Sequence, residues 1–251
     1  MSGIATEGRS GTCHLPLSFA LEFGDELLGA YVDYEVLGSS PAPVVLVLGG
    51  ISAHRHVAAS SADPSPGWFD HLVGAGHAID PARFRVLGVD FVGAATPPET
   101  AAKTACGPAL STKDHARAIL HVLDHLEIER LHAVIGSSLG GMIGLQLGAL
   151  DDCRVERVVA ISAPDRPDPR ASAWRSVQRS IVRELCAVDH PRRGLELARA
   201  LAMTTYRTPD ELAERFDGPT EAVNGIARAP IADYREARGA ASAEQFTPEL
   251  F

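Results

Sequence analysis

The sequence predicts an α/β fold: a mostly parallel sheet with helices on both faces, followed by a helical cap. Three observations predict it. Short continuous apolar runs, such as Val44-Val45-Leu46-Val47-Leu48 ahead of Gly49-Gly50, suit strands covered on both faces. From Gly50 onward such runs alternate with stretches of helical periodicity, as in parallel strands joined by crossover helices. After Pro164 no strand is expected and only helical stretches remain. The 251 residues therefore divide into a core, residues 1–163, and a helical cap, residues 164–251. That length can bury one good core beside a smaller cap.

Taken in order, Leu17 to Phe23 and Ala30 to Leu37 read as strands. Tyr31, Val32, Tyr34 and Val36 are β-formers, and the intervening Gly24-Asp25 is turn chemistry, so the two form a hairpin. Pro43 to Leu48 and Phe84 to Phe91 are buried strands, and Ala94 to Ala102 is a surface loop. Ala116, Ile119, Leu120, Leu123 and Leu126 follow helical spacing between Ser111 and Leu126. The charged and histidine positions of that helix (Asp114, His115, His121, Asp124, His125) are expected to face water. Leu131 to Ile135 is a strand, Gly141 to Leu150 a helix, and Val155 to Ile161 a strand. In the cap, Ala171 to Ala187 and Gly194 to Met203 are helical.

A formal charge of −9 argues against nucleic-acid binding, which requires a basic face to displace counterions. Cys13, Cys106, Cys153 and Cys186 are scattered without a CxxC pair, as expected of reduced thiols in a cytoplasmic protein. The first residues have neither the basic nor the apolar region of a signal peptide. The apolar runs are strand-length and too short to span a bilayer. His54-Arg55-His56 has no carboxylate or cysteine at a matching spacing, so no metal is expected.

The most informative stretch is Gly136-Ser137-Ser138-Leu139-Gly140-Gly141, a G-x-S-x-G pattern between a predicted strand and a predicted helix. A serine on such a sharp turn sits in a strained conformation that presents its Oγ above the sheet edge. Residues two before and two after it crowd together and must be nearly free of side chains. They are Gly136 and Gly140. The helix that follows aims its N-terminus, and the Leu139 N–H, at a developing oxyanion. Ser138 is thus the candidate nucleophile of an α/β-hydrolase fold. The second oxyanion donor is expected from the loop after Leu48, at Gly50 or Ile51.

Gly67-Trp68-Phe69-Asp70-His71-Leu72-Val73-Gly74-Ala75-Gly76-His77-Ala78-Ile79-Asp80 resembles the GWWxxLVGxGxAID stretch of homoserine O-acetyltransferases and O-succinyltransferases. Leu48 to His54 is similar to their oxyanion-loop region, Ser138-Leu139-Gly140-Gly141-Met142 to their S-x-G-G-M elbow, and Leu201 to Arg207 to a cap segment. The likeness runs from about Tyr31 to the last residue. It implies transfer of an acetyl or succinyl group from acetyl-CoA or succinyl-CoA to Ser138, and then to the hydroxyl of homoserine, in methionine synthesis. It also implies no cofactor, a cap that excludes water, an arginine holding the homoserine carboxylate, and, by the family's habit, a homodimer. Arg179, between Arg175 and Arg183 at four-residue spacing, fits that arginine best. From Arg166 to Arg215 ten arginines face seven acids, a local excess suited to an anionic CoA substrate.

The chain departs from the family in two places. The fold orders its triad serine, acid, histidine, yet the only histidine after Ser138 is His190, inside the cap and before any returning strand. It reads as a surface residue of the cap. The last two strands, which in the family carry the acid and the histidine, are not found, so the 251 residues are expected to be nearly inactive and to leave a sheet edge unpaired. Asp90 to Pro98 also lacks the Gly/Ser-rich stretch common in the acetyltransferases, which leaves serine open as an alternative acceptor. An esterase or thioesterase using water, and a non-catalytic remnant, remain the competing functions.

Overall fold

The computed structural model describes residues 6–92 and 108–243. They form two compact units, residues 6–92 with 108–166, and residues 167–243. Ala94 to Ala102, Cys106 and the residues from 244 onward lie outside the described residues.

The first unit contains β1 (Gly8–His14), β2 (Ser18–Ala20), β3 (Glu26–Leu28), β4 (Tyr31–Leu37), β5 (Val44–Leu48), β6 (Arg85–Val89), α1 (Thr112–His125), β7 (Leu131–Ser137), α2 (Leu139–Leu150) and β8 (Val158–Ile161). Six strands form one sheet in the order β1-β4-β6-β5-β7-β8. β6, β5, β7 and β8 run parallel, whereas β4 pairs antiparallel with both β1 and β6. All five residues of β5 are buried, as its unbroken apolar run requires of a central strand. α1 and α2 pack together, with α2 against β5, β7 and β8. The segment between β5 and β6 supplies Val57, Ala58, Val73 and Ile79 to a core cluster with Val45, Val47, Val86 and Ala133. Among the described residues β8 ends the sheet, and Val159 and Ile161 remain 45% and 43% exposed on it.

The expected hairpin is corrected. The Gly24-Asp25 turn joins only the short β2 and β3, which pair with each other, while β4 takes β1 as its partner. β1 has a single buried side chain, Cys13, so its sequence carried no alternation. Its ladder with β4, rather than side-chain burial, holds it in place.

The helix α1 brings a second correction. Asp114 is fully buried and His115 is 6% exposed, so these two do not face water. Asp114 closes a capping box: its carboxylate accepts the Ser111 N–H at 2.9 Å while the Ser111 hydroxyl accepts its own N–H at 3.1 Å. It also accepts the Glu22 N–H at 2.9 Å and pairs with Arg117 at 2.5 Å. Burial raises its pKa, but those hydrogen bonds outweigh burial and hold the carboxyl below its usual range. His115 lies edge-on to Phe91, and burial lowers its pKa to about 4.

The second unit contains α3 (Pro169–Ala187), α4 (Pro191–Ala202) with a 3₁₀ turn at Met203–Thr205, α5 (Pro209–Phe216), β9 (Glu221–Val223), β10 (Ile226–Arg228) and α6 (Ile231–Ala243). α4 packs against α3 and α6. Val182, Cys186, Leu195 and Ala198 form its buried cluster. A Cβ on Gly239 would stand 2.4 Å from the Glu196 carbonyl, so only glycine permits this approach of α6 to α4. The expectation of no strand after Pro164 is overturned by the β9–β10 hairpin. Asn224 and Gly225 both have positive φ (51° and 77°), the turn that an Asn-Gly pair favours.

Candidate active site

Ser138 stands between β7 and α2 with φ 51° and ψ −117°, outside the backbone regions ordinary residues prefer. Three packing facts hold it there. A Cβ on Gly136 would lie 2.2 Å from the Gly140 carbonyl oxygen, one on Gly140 2.5 Å from the Gly49 carbonyl oxygen, and one on Gly141 2.6 Å from the Ala163 side chain. Backbone hydrogen bonds complete the brace: the Ser138 N–H donates to the Ile161 carbonyl at 2.9 Å, and the Met142 N–H to the Ser138 carbonyl at 3.1 Å. The Ser138 side chain makes no cap hydrogen bond to the helix and the residue is exposed, so its hydroxyl is presented outward. Leu139, as the first helical residue, has no intrahelical acceptor for its N–H.

The loop after β5 meets the elbow directly. The Gly140 N–H donates to the Gly49 carbonyl at 2.9 Å, and the position of a Cβ on Gly50 is 3.8 Å from the Ser138 Cβ. Ser138 and Gly50 are therefore brought together, with Leu139 and Ile51 as their respective chain neighbours. Because the Gly140 N–H is engaged by Gly49, the Leu139 N–H remains the elbow amide open to a ligand oxygen.

What holds that loop was missed in the sequence. The Arg55 N–H donates to Asp90 Oδ1 at 2.7 Å and its guanidinium to Asp90 Oδ2 at 2.5 Å, tying the loop to the end of β6. His56 is buried, with Nδ1 2.9 Å from the Glu35 carboxylate and Nε2 2.8 Å from the Ser65 carbonyl. Both neighbours can accept hydrogen bonds, an arrangement that favours the doubly protonated ring. Burial works against that charge, but the bonds to Ser65 and Glu35 prevail and raise the His56 pKa. His56 thus serves the fold of the loop; among the described residues no cluster fit to hold a metal is present.

The Gly67 to Asp80 motif has the same physical role. The Trp68 ring would be 2.9 Å from a Cβ on Gly49, and its Nε1 donates to the His54 carbonyl at 2.7 Å. Gly67 leaves no room for a Cβ, which would sit 2.3 Å from the Ala58 backbone. Asp70 accepts the Ala59 and Gly67 N–H groups, and Asp80 those of Gly76 and Ala82, all at 2.9 Å. The motif is a frame for the loop after β5.

A family model described as the alpha/beta hydrolase fold matches residues 43–218. The homoserine O-succinyltransferase of Xanthomonas campestris pv. campestris is 47% identical over 210 residues, 82% of this chain and 54% of the relative. The serine O-succinyltransferase of Litchfieldella anticariensis is 31% identical over 264 aligned positions, 94% of this chain and 72% of the relative. The chain belongs to the homoserine O-acyltransferase family of the α/β-hydrolase superfamily. It spans about half the length of the Xanthomonas relative. Two solved structures share the fold at 20% identity: esterase E22, with a TM-score of 0.82 over 97% of this chain and 75% of that one, and homoserine O-acetyltransferase from Bacillus anthracis, with 0.80 over 97% and 74%.

The other residues singled out in this family member lie in the second unit. Arg179 is exposed on α3, next to the buried Gln178. Arg183 pairs with Glu184, Arg192 and Arg193 with Glu196, and Arg207 with Glu211, so part of the local basic excess is neutralised within the unit. His190 is exposed at the N-terminal end of α4, where its N–H donates to the Leu185 carbonyl at 2.7 Å.

Proposed function

We propose that Ser138 is the nucleophile of a CoA-dependent acyltransferase that moves an acetyl or succinyl group to homoserine, with the 251 residues supplying its nucleophile, oxyanion amides and acceptor site. The observation that carries this reading is the braced elbow at φ 51°, tied through the Gly140 N–H to the glycine loop at Gly49. In the first step the Ser138 hydroxyl attacks the thioester carbonyl. The N–H groups of Leu139 and of Gly50 or Ile51 receive the oxyanion, and CoA leaves as the thiol. In the second step the homoserine hydroxyl attacks the acyl-serine and restores the serine.

Residues 164–251 act as the cap that limits water at the acyl-serine, and Arg179 holds the acceptor carboxylate with its planar fork. No resident cofactor takes part. The reaction suits a cytoplasmic protein and a homodimer; Cys13 and Cys153 are free thiols, which supports a reducing compartment. No described helix is long and apolar enough to cross a membrane.

Such a serine needs a histidine base, and the sequence beyond Ser138 offers only His190. The 251 residues alone are therefore expected to turn over slower by orders of magnitude than a chain with a complete triad. Thiol release from acetyl-CoA and succinyl-CoA, measured with and without homoserine or serine, tests the proposal. Release that depends on the amino acid supports transfer and names donor and acceptor. Release without acceptor assigns a hydrolase, and no release above that of Ser138→Ala assigns a remnant.

A further inference from the structure

At the opposite end of the sheet from Ser138, the start of β1, the end of β4 and the start of β6 meet around a cavity of about 130 Å³. Ser138 follows the C-terminal end of β7, whereas Arg85 begins the parallel β6. A five-residue strand separates the two ends, roughly 15–20 Å at the usual rise per residue. The cavity is lined by Arg9, Arg85, Ser39, Ser40 and Glu7 among others. The Arg85 Nε is buried with no hydrogen-bond partner. Arg9 is close enough to repel it, and burial together with that repulsion lowers the Arg85 pKa. Neither arginine has an ion-pair partner among the described residues, whereas Arg55 and Arg154 of the same unit are each paired with a carboxylate.

A buried guanidinium N–H without an acceptor, on a half-buried arginine beside a second like charge, is an unfavourable arrangement that an anion would relieve. The backbone around it is fixed. Gly38 has φ 81° and its N–H donates to the Glu7 carbonyl at 2.9 Å, while a Cβ on Gly38 would lie 2.5 Å from the Pro81 carbonyl. The volume is several times the roughly 30 Å³ of a water and well below the roughly 300 Å³ at which pockets take drug-sized ligands. It fits a small anion and is too small for a nucleotide.

We propose that Arg9 and Arg85, with the hydroxyls of Ser39 and Ser40, form a binding site for a small tetrahedral oxyanion, inorganic phosphate or the terminal phosphate of a small metabolite. Two guanidinium groups and two hydroxyls provide donors for a four-oxygen anion, more than a single carboxylate can engage. Glu7 opposes the anion and limits its affinity. The site is independent of the chemistry proposed at Ser138.

The test is calorimetric titration of the full chain with inorganic phosphate at constant ionic strength, with sodium chloride, acetate and glycerol phosphate as separate arms. Saturable phosphate binding is expected. Arg9→Gln and Arg85→Gln should each weaken it at least tenfold, Glu7→Gln should tighten it, and Ser138→Ala should leave it unchanged. Arg9 is exposed on an edge strand, so Arg9→Gln remains decisive if Arg85→Gln fails to fold. Binding of glycerol phosphate as tight as that of phosphate would assign the site to a phosphorylated metabolite, and weaker binding would assign it to the free ion. Unaltered phosphate affinity in Arg9→Gln, tighter binding of acetate than of phosphate, or no saturable binding would overturn the proposal.

Discussion

Gly140→Ala isolates the contact on which the elbow and the loop after β5 depend. The added methyl group would stand 2.5 Å from the Gly49 carbonyl oxygen and 2.6 Å from the Leu48 carbonyl carbon and Cβ. Two of those three atoms are backbone of β5 and its loop and cannot swing aside as a side-chain end would. Relieving the clash must lengthen the hydrogen bond from the Gly140 N–H to Gly49, now 2.9 Å. Overpacking of this kind costs about 1–3 kcal/mol and a lost hydrogen bond about 1 kcal/mol, so the sum is roughly 2–4 kcal/mol. For a chain of this size that lowers the melting temperature on the order of 10 °C. Gly50→Ala is the control, because its methyl group would meet only the Ser138 Cβ, at an ordinary 3.8 Å, and should leave melting within about 0.5 kcal/mol of the parent. Thermal unfolding by circular dichroism compares the three proteins. A Gly140→Ala variant that melts with the parent, or a Gly50→Ala variant that melts well below it, would refute the packing derived for the elbow.

The remaining predictions concern buried histidines. His56 has a raised pKa, so the stability it contributes is fully present below its unfolded value near 6.5 and is lost as pH rises through the folded value. The melting temperature of His56→Gln should therefore approach that of the parent as pH increases from 6 to 9, and a constant gap across that range would contradict the raised pKa. His115 has the opposite sign: its folded pKa of about 4 means the unfolded chain binds the proton first, and stability falls as pH drops from about 6.5 to 4. His115→Leu should flatten that part of the pH–stability curve, where the parent loses roughly 3 kcal/mol. Denaturant midpoints at pH 4.5 and 7 measure it, and an equal acid loss in both proteins would show that His115 is not the group responsible.

The parts of the fold that were legible are those where one local rule decides. β5 is a run of apolar residues because both its faces are covered, and the elbow is written in glycines because only glycine fits at Gly136 and Gly140. The parts that were not legible depend on partners distant in sequence. β1 is a polar, glycine-containing edge strand recognisable only through its pairing with β4. Asp114 and His115 carry the residue types of a wet helix face, yet the capping box, the Glu22 N–H and the Phe91 ring bury them. The Asn224-Gly225 turn did carry a hairpin signal, but its flanking strands are three residues each and exposed, too short to show alternation. At the candidate site, the sharp turn at Ser138 was readable from one pentapeptide. The Arg55–Asp90 and His56–Glu35 contacts were not, since nothing in the spacing of those residues foretells which strands will be neighbours.

Acyl transfer from a reactive donor to the hydroxyl of one residue tests the central claim most directly. Prolonged incubation of the 251-residue chain with p-nitrophenyl acetate, followed by intact-mass and peptide mass spectrometry, reads it out, since oxyanion amides alone retain part of the rate acceleration when a triad member is absent. One acetyl group on the peptide containing Ser138, absent from Ser138→Ala, is the predicted result. Acetyl groups on Cys153 or other exposed side chains with Ser138 unmodified, or equal labelling of the variant, would contradict the account.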